Sequence, residues 1–216
     1  MTDRTQDADG GLKSRVLLML RLKGFAGAEA IAACLGVGAA PVAALLADLV
    51  AAGLAEEKKI GHRLTPDGQA AADADTAAER GQVGDEVIAA FYARFNDVNP
   101  EFKALVARWQ MREVDGAVVP NDHSDTAYDR GIIAALATID GVILTLMTDM
   151  SAALPRMARY NHRFAAALEA LKQGEVRYMA APVIDSYHTV WFELHEDLIR
   201  LSGKTRRQEA LAGKAV

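Results

Sequence analysis

The chain has one cysteine in its 216 residues, Cys34, so no internal disulfide can form and a reducing, cytoplasmic setting is the expectation. Aromatic residues make up only 6% of it, and alanine fills much of the apolar quota. Runs of β-branched residues are few, which disfavours sheet and leaves helix as the default. The longest uncharged run, Ala30 to Ala47 between Glu29 and Asp48, is broken by Gly36, Gly38 and Pro41, so a membrane span is not expected. The opening MTDRTQDADGG is polar and acidic and has no apolar core of a signal peptide. Motifs of self-contained nucleotide chemistry are missing as well. There is no GxxxxGK[ST], no GxGxxG, no nucleophile elbow and no CxxC, so an enzyme that binds and uses a nucleotide alone is not expected. A net charge of −5 does not suit a nucleic-acid binder.

What is present is a globular composition, 51% hydrophobic and 25% charged, which divides near residue 80. Residues 1–11 read as a disordered leader and 12–80 as a small domain. The polar segment 75–85 with its two glycines reads as a linker or helix break. Residues 83–203 read as a helical bundle and 204–216 as a polar tail that frays. In the first domain, helices are expected at Leu12–Lys23, Ala28–Leu35 and Ala39–Ala52, each stopped by glycine. A charged strand, a turn at Gly61 and a strand through Arg63 and Leu64 lead into a helix start at Thr65-Pro66-Asp67-Gly68. The order helix, helix, helix, hairpin, helix, with Gly53-Leu54 ahead of Arg63-Leu64-Thr65-Pro66, resembles the winged helix-turn-helix domains of bacterial regulators.

That resemblance raises the question of DNA. The third helix should enter the major groove with side chains that read base edges, but it reads AAPVAALLADLVAA, with Asp48 as its only charge. Over residues 1–80, nine Lys/Arg face eleven Asp/Glu, a net of −2. Cations collect only on the hairpin, at Lys58, Lys59, His62 and Arg63. DNA binding is therefore not expected. Val42, Leu45, Leu46 and Leu49 are instead expected to lie partly uncovered and to pack on a protein or on the bundle.

In the second domain, helices are expected at Asp85–Val98, Glu101–Arg112, Asp125–Ala153, Pro155–Lys172 and Pro182–Ser202, with Asn99-Pro100 dividing the first two and Ser124 or Asp125 as an N-cap. The fold class is mainly α: a winged-helix-like domain followed by a four- to five-helix bundle. In the last helix, His188 and His195 are seven residues apart and fall in one extended apolar arc with Tyr187 and Trp191. Asp185 and Glu196 border that arc, while Glu193, Asp197 and Arg200 point to solvent. Histidines and carboxylates beside a buried face must be paired. A core hydrogen-bond network and a functional pocket both remain open, and no metal spacing is present. Asp185 can reach His188 across one turn, which favours His188 over His195 as a base. Arg108, Trp109 and Arg112, together with His123 and its neighbour Asp122, could converge on the same pocket. Arg156, Arg159 and Arg163 read as a solvated basic face, and Cys34 as core.

Five segments, residues 20–36, GHRLTPDG (61–68), FNDVNPEFKALVARWQMR (95–112), NDHSDTAYD (121–129) and PVIDSYHTVWFELHEDLI (182–199), together resemble a helical module found with bacterial phosphotransferases of the phosphoenolpyruvate synthase and pyruvate phosphate dikinase type. The resemblance implies phosphoryl transfer from ATP by way of a carrier histidine. None of His62, His123, His162, His188 and His195 lies in the Gly-rich, Ser-His context of such a carrier. The implied role is a non-carrier subunit that holds a small hydroxyl acceptor, phenolic for instance, or docks on a large partner that binds ATP and Mg and carries the phosphohistidine domain. This chain itself would bind no cofactor and no metal. In that role His188, His195 and Asp185 would be catalytic, and Arg108, Trp109, Arg112, His123, Tyr187, Trp191 and Glu196 would bind substrate. The alternative is a winged-helix transcriptional regulator with a ligand-sensing, dimerising bundle. A homodimer is open in either case.

Overall fold

A computed structural model describes residues 3–211, with side chains from residue 11 onward. The chain is mainly helical. Helices α1 (Asp3–Lys23), α2 (Ala28–Leu35) and α3 (Ala39–Ala51) precede an antiparallel hairpin of β1 (Ala55–Lys58) and β2 (Gly61–Leu64), paired from Ala55↔Leu64 to Lys58↔Gly61. Helix α4 (Pro66–Val83) starts where Thr65 caps it: its Oγ1 accepts from the Gly68 N–H at 3.1 Å and donates to the Gly53 carbonyl at 2.7 Å. Gly68 is required there, because a side chain would run into the Leu54 carbonyl.

Around these elements lies an aliphatic core that includes Val16, Leu20, Ile31, Val42, Leu46, Leu49 and Leu64. Val42, Leu46 and Leu49, expected on the surface, are thus interior residues of their own unit, which needs them because it has no buried aromatic. The face of α3 that meets solvent is Ala40, Ala43, Ala44, Ala47, Asp48 and Ala51. Helix α1 begins at Asp3, inside the stretch read as a leader, and α4 runs through Gly81, so the break in 75–85 is confined to Gly84 (φ 91°).

The second core is built on α5 (Asp85–Gln110), α6 (Thr126–Ala153), α7 (Ala158–Lys172) and α8 (Tyr187–Leu201). Helix α5 is continuous through Pro100, where two helices were expected. An interior proline costs about 3 kcal/mol. Packing on both sides outweighs this: Phe95 and Phe102 are buried, and the Asn99 side-chain Oδ1 accepts from Trp191 Nε1 at 2.9 Å. Helix α6 is the one helix among the described residues long and apolar enough to cross a membrane by length and composition. In this fold its apolar face, Ile132, Leu136, Ile139, Ile143, Leu146 and Met150, supplies the bundle core against α5 and α7. Short 3-10 turns at Pro155–Met157 and Val176–Tyr178 bracket α7. Helix α8 starts at Tyr187 and not at Pro182, because the Ser186 hydroxyl caps it by accepting from the Thr189 N–H at 3.3 Å. The tail read as fraying forms α9 (Arg206–Leu211), pinned where the Tyr92 hydroxyl donates to the buried Glu209 carboxylate at 2.6 Å. Residues 212–216 of that tail lie outside the described residues.

Helices α1 and α4 lie on α8, so α8 is covered on both faces. Glu193 and Asp197, expected to face water, are 3% and 0% exposed. Arg156, in the 3-10 turn before α7, and Arg163 on α7 meet them there and do not form a solvated face. Arg156 donates to Asp197 through Nη1 and Nη2 and to Glu79 through Nε. Arg163 donates to Asp185 at 2.7 and 2.9 Å and to Glu193 at 2.7 Å, and Lys23 donates to Glu193 at 2.6 Å.

Candidate functional site

The described residues bring four of the expected site residues, Arg108, Trp109, Arg112 and His123, to the end of α5. Trp109 closes that helix, buried at 4% exposure. The chain then leaves as a second hairpin, β3 (Met111–Val114) and β4 (Ala117–Pro120), turning through Asp115 and Gly116 with φ of 52° and 80°. Positive φ at both turn residues is the tight-hairpin geometry that Asp-Gly favours. The hairpin returns the chain to its starting point, where the Asn121 N–H donates to the Gln110 carbonyl at 2.9 Å. Two residues on, His123 sits at φ 59°, a backbone region that L residues rarely adopt, with its ring 4.5 Å from Trp109. Helix α6 follows. Asp125 caps it by accepting from the Ala127 and Tyr128 N–H groups, and Asp129 occupies the first turn, where the helix dipole favours a carboxylate.

Asp129 is the hub. Its Oδ2 lies 3.0 Å from His123 Nδ1, and its Oδ1 accepts from Asn121 Nδ2 at 2.9 Å. The Asn121 amide also donates to the Trp109 carbonyl at 3.1 Å, and its Oδ1 accepts from the His123 N–H at 3.3 Å. Asn121 Nδ2 also lies 3.2 Å from His123 Nδ1. A carboxylate only accepts, so the 3.0 Å contact with Asp129 Oδ2 favours the proton on Nδ1, which in the neutral ring leaves the lone pair on Nε2. The Asp129 side chain is 9% exposed and that of His123 is 29% exposed, so a buried carboxylate orients a ring that solvent can reach. Arg112 stands on the same side on β3, with Nη1 3.5 Å from Asp125 and its guanidinium 5.9 Å from the Tyr128 ring. Arg108 is exposed on the last turn of α5, and its carbonyl accepts from the Tyr128 hydroxyl at 2.9 Å. Chemically this is an imidazole oriented by a carboxylate, with Arg108 and Arg112 on the elements that lead into and out of the same junction.

The other expected residues lie elsewhere and do not form one pocket. Asp185 does not pair with His188. It lies before the cap of α8, outside the helix, and its carboxylate accepts from Arg163 and, at 3.7 and 3.8 Å, from Cys34 Sγ. The surrounding cations hold Asp185 below the usual carboxylate range although burial opposes this, and burial raises the Cys34 thiol. His188 is half-buried beside Phe102, and burial pushes its pKa down. His195 is enclosed by Phe95 and Tyr92, with Nε2 3.4 Å from the Tyr92 oxygen. Burial, helped by Arg206, pushes its pKa down to about 4, so it is a weak base. Glu196 is held by Arg200 at 2.7 Å and Arg206 at 3.3 Å. Tyr187 and Trp191 are core: the Tyr187 hydroxyl donates to buried Asp140 at 2.9 Å, and Trp191 stacks 4.0 Å from Phe102. Asp122 caps its own loop by accepting from Ser124.

Asn121 and Asp129 were not singled out from the sequence. The signal was local: an Asp-Gly turn flanked by valines announces the hairpin, which places Asn121, His123 and Asp129 within one strand-to-helix junction. Likewise the i, i+4 carboxylates Glu193 and Asp197 on α8 match the spaced arginines of α7. No protein-family model, no curated protein and no solved structure matches this chain.

Proposed function

We propose that the chain is a non-carrier subunit of a dikinase-like phosphotransferase, and that His123 is the base that takes the proton of a small hydroxyl acceptor. The observation that carries this reading is the His123–Asp129 pair: a buried carboxylate on Nδ1, a reachable Nε2, and a strained backbone at the histidine. Phosphoryl transfer needs a proton acceptor for the attacking hydroxyl and cations for the phosphoryl oxygens. Arg112 and Arg108 are the cations at hand. The exposed apolar side chains of Met111, Val114 and Val118 on the adjoining hairpin give a large partner, which would bind ATP and Mg and bring the phosphohistidine, a surface to cover. This role replaces His188, His195 and Asp185 as the catalytic set, because His188 is half-buried beside Phe102, His195 is a weak base enclosed by Phe95 and Tyr92, and Asp185 is held by Arg163 and Lys23.

The test is reconstitution with the ATP-using partner and measurement of two half-reactions. His123→Asn is expected to leave ATP-dependent phosphorylation of the partner's histidine intact and to slow transfer to the acceptor by about a hundred- to ten-thousand-fold. His188→Asn is expected to transfer normally. Wild-type transfer by His123→Asn contradicts the reading, and loss of both half-reactions in that variant assigns the chain to docking or regulation.

A second reading, a winged-helix regulator, is favoured by the element order of the first unit. Against it stand the alanine face of α3 and the hairpin cations, of which Lys58 and Arg63 are held on Glu56 at 2.5 and 3.2 Å. A salt-resistant, sequence-specific complex with the DNA upstream of its own gene would favour this second reading.

A further inference from the structure

The seam between the two cores contains a cation that the fold leaves without acceptors. Arg159 lies on α7 between Arg156 and Arg163, with its side chain 9% exposed. Its Nε, Nη1 and Nη2 are all buried and make no hydrogen bond. The carboxylate beside it, Asp197, is 3.8 Å from Nη2 and already accepts from Arg156 through both oxygens and from the Tyr160 hydroxyl. Arg163 repeats the pattern in part: Nε and Nη2 reach Asp185 and Glu193, and Nη1 is buried without a partner. The two guanidinium groups, one helical turn apart on α7, lie 5.2 and 5.7 Å from the centre of the Tyr160 ring.

The nearby carboxylates are turned to other donors. Glu193 is divided between Lys23 and Arg163, and Glu79 accepts from Arg156. A guanidinium does not shed its proton at any ordinary pH, so Arg159 cannot escape by neutralising itself. Buried donors in native proteins are paired almost without exception. The demand here is for one small group with several acceptor oxygens and negative charge, which matches the fork of arginine to a tetrahedral oxyanion. Two cavities open nearby on the seam, one of 660 Å³ at Pro155 and Arg156, rimmed by Ser14 and Arg15, and one of 670 Å³ at Lys23, Asp185 and Glu193; they are lined by the ionic neighbours of Arg159 and Arg163 and not by these two residues themselves.

We propose that Arg159 and Arg163 bind an oxyanion, inorganic phosphate or the phosphoryl group of a phosphomonoester, and that this anion ties the first unit to the bundle. The site is separate from the His123 cluster, and the proposal does not depend on the function assigned there.

The experiment is thermal unfolding of the full chain at constant ionic strength, titrated with inorganic phosphate, with phenyl phosphate and with chloride alone, together with ion chromatography of the acid-denatured protein. Ligand that binds only the folded state raises the Tm with concentration. Wild type is expected to respond to an oxyanion and not to chloride, or to release close to one equivalent of anion on denaturation. A response to phosphate assigns the free ion, and a stronger one to phenyl phosphate assigns a phosphomonoester. Arg159→Met replaces the unmatched charge with an apolar chain of similar length and is expected to fold and lose the response. Arg159→Lys keeps the charge without the fork and is expected to bind at least tenfold more weakly. A wild type with neither a specific response nor bound anion overturns the proposal, as does an Arg159→Met protein that responds like wild type.

Discussion

The two cores of this molecule are made of different materials. The first, around α1 to α3, is aliphatic and, among the described residues, has no buried charged side chain. The second has Phe95, Phe102, Tyr160, Phe164, Tyr187 and Trp191 at its centre, and it also buries Asp129, Asp140, Arg163, Glu193, His195 and Asp197. A small unit that lacks aromatics fills its interior with interlocking aliphatic side chains and leaves nothing for chemistry. The bundle has aromatic surface to spare and can hold polar groups in fixed orientations, most of them matched by partners, with Arg159 and one nitrogen of Arg163 among the exceptions. Charges concentrate where the units meet, and the one oriented, reachable histidine lies on the bundle at the β3–β4 end.

The contrast can be broken most forcefully at Asp197. Removing one partner from a buried ion network strands the other charges, and Asp197→Ala is expected to destabilise the protein by about 3–5 kcal/mol in urea unfolding. A loss below about 1 kcal/mol would mean that the network contributes little. Acid should act next. The pKa of His195 in the fold, about 4, lies below the ordinary 6.5, so the unfolded chain takes up this proton first. The contribution is complete above pH 6.5 and is lost as the pH falls through about 4; it amounts to about 3 kcal/mol. A Tm-versus-pH series should show that slope, and His195→Phe should remove that part of it. Smaller still is a matched pair of deletions. Ile31→Val in the aliphatic core and Ile132→Val in the bundle should each cost about 1 kcal/mol. Equal losses place the difference between the cores in their polar groups, whereas a much larger loss in one would place it in packing. The smallest effect is expected at the α3 surface, where Ala47→Lys should change stability by no more than about 0.5 kcal/mol.

The first unit was legible in the sequence to within a residue at α2, α3 and the hairpin, because glycines and the Thr65 cap mark those boundaries and their reasons are local. The bundle was less so, since its exceptions are tertiary. Pro100 reads as a break until Asn99 is seen bonded to Trp191. Glu193 and Asp197 read as solvent-facing because a helical projection of α8 cannot show that α1 and α4 cover its second face. For the same reason Asp185 was assigned to His188 on its own helix, while its partner, Arg163, comes from another element. His123 and Trp109 were recognised, but Asp129 was missed, although its six-residue spacing from His123 spans the cap at Asp125 and places it on the first turn of α6.

The central claim is that Asp129 fixes His123 with its proton on Nδ1 and Nε2 free. Long-range proton–nitrogen NMR spectra of the neutral imidazole measure this directly. The account predicts the Nδ1–H tautomer at His123 in the wild-type protein, and a shift in Asp129→Ala toward the Nε2–H form that a free histidine side chain prefers. An Nε2–H tautomer in the wild type, or a tautomer unchanged in Asp129→Ala, would contradict it.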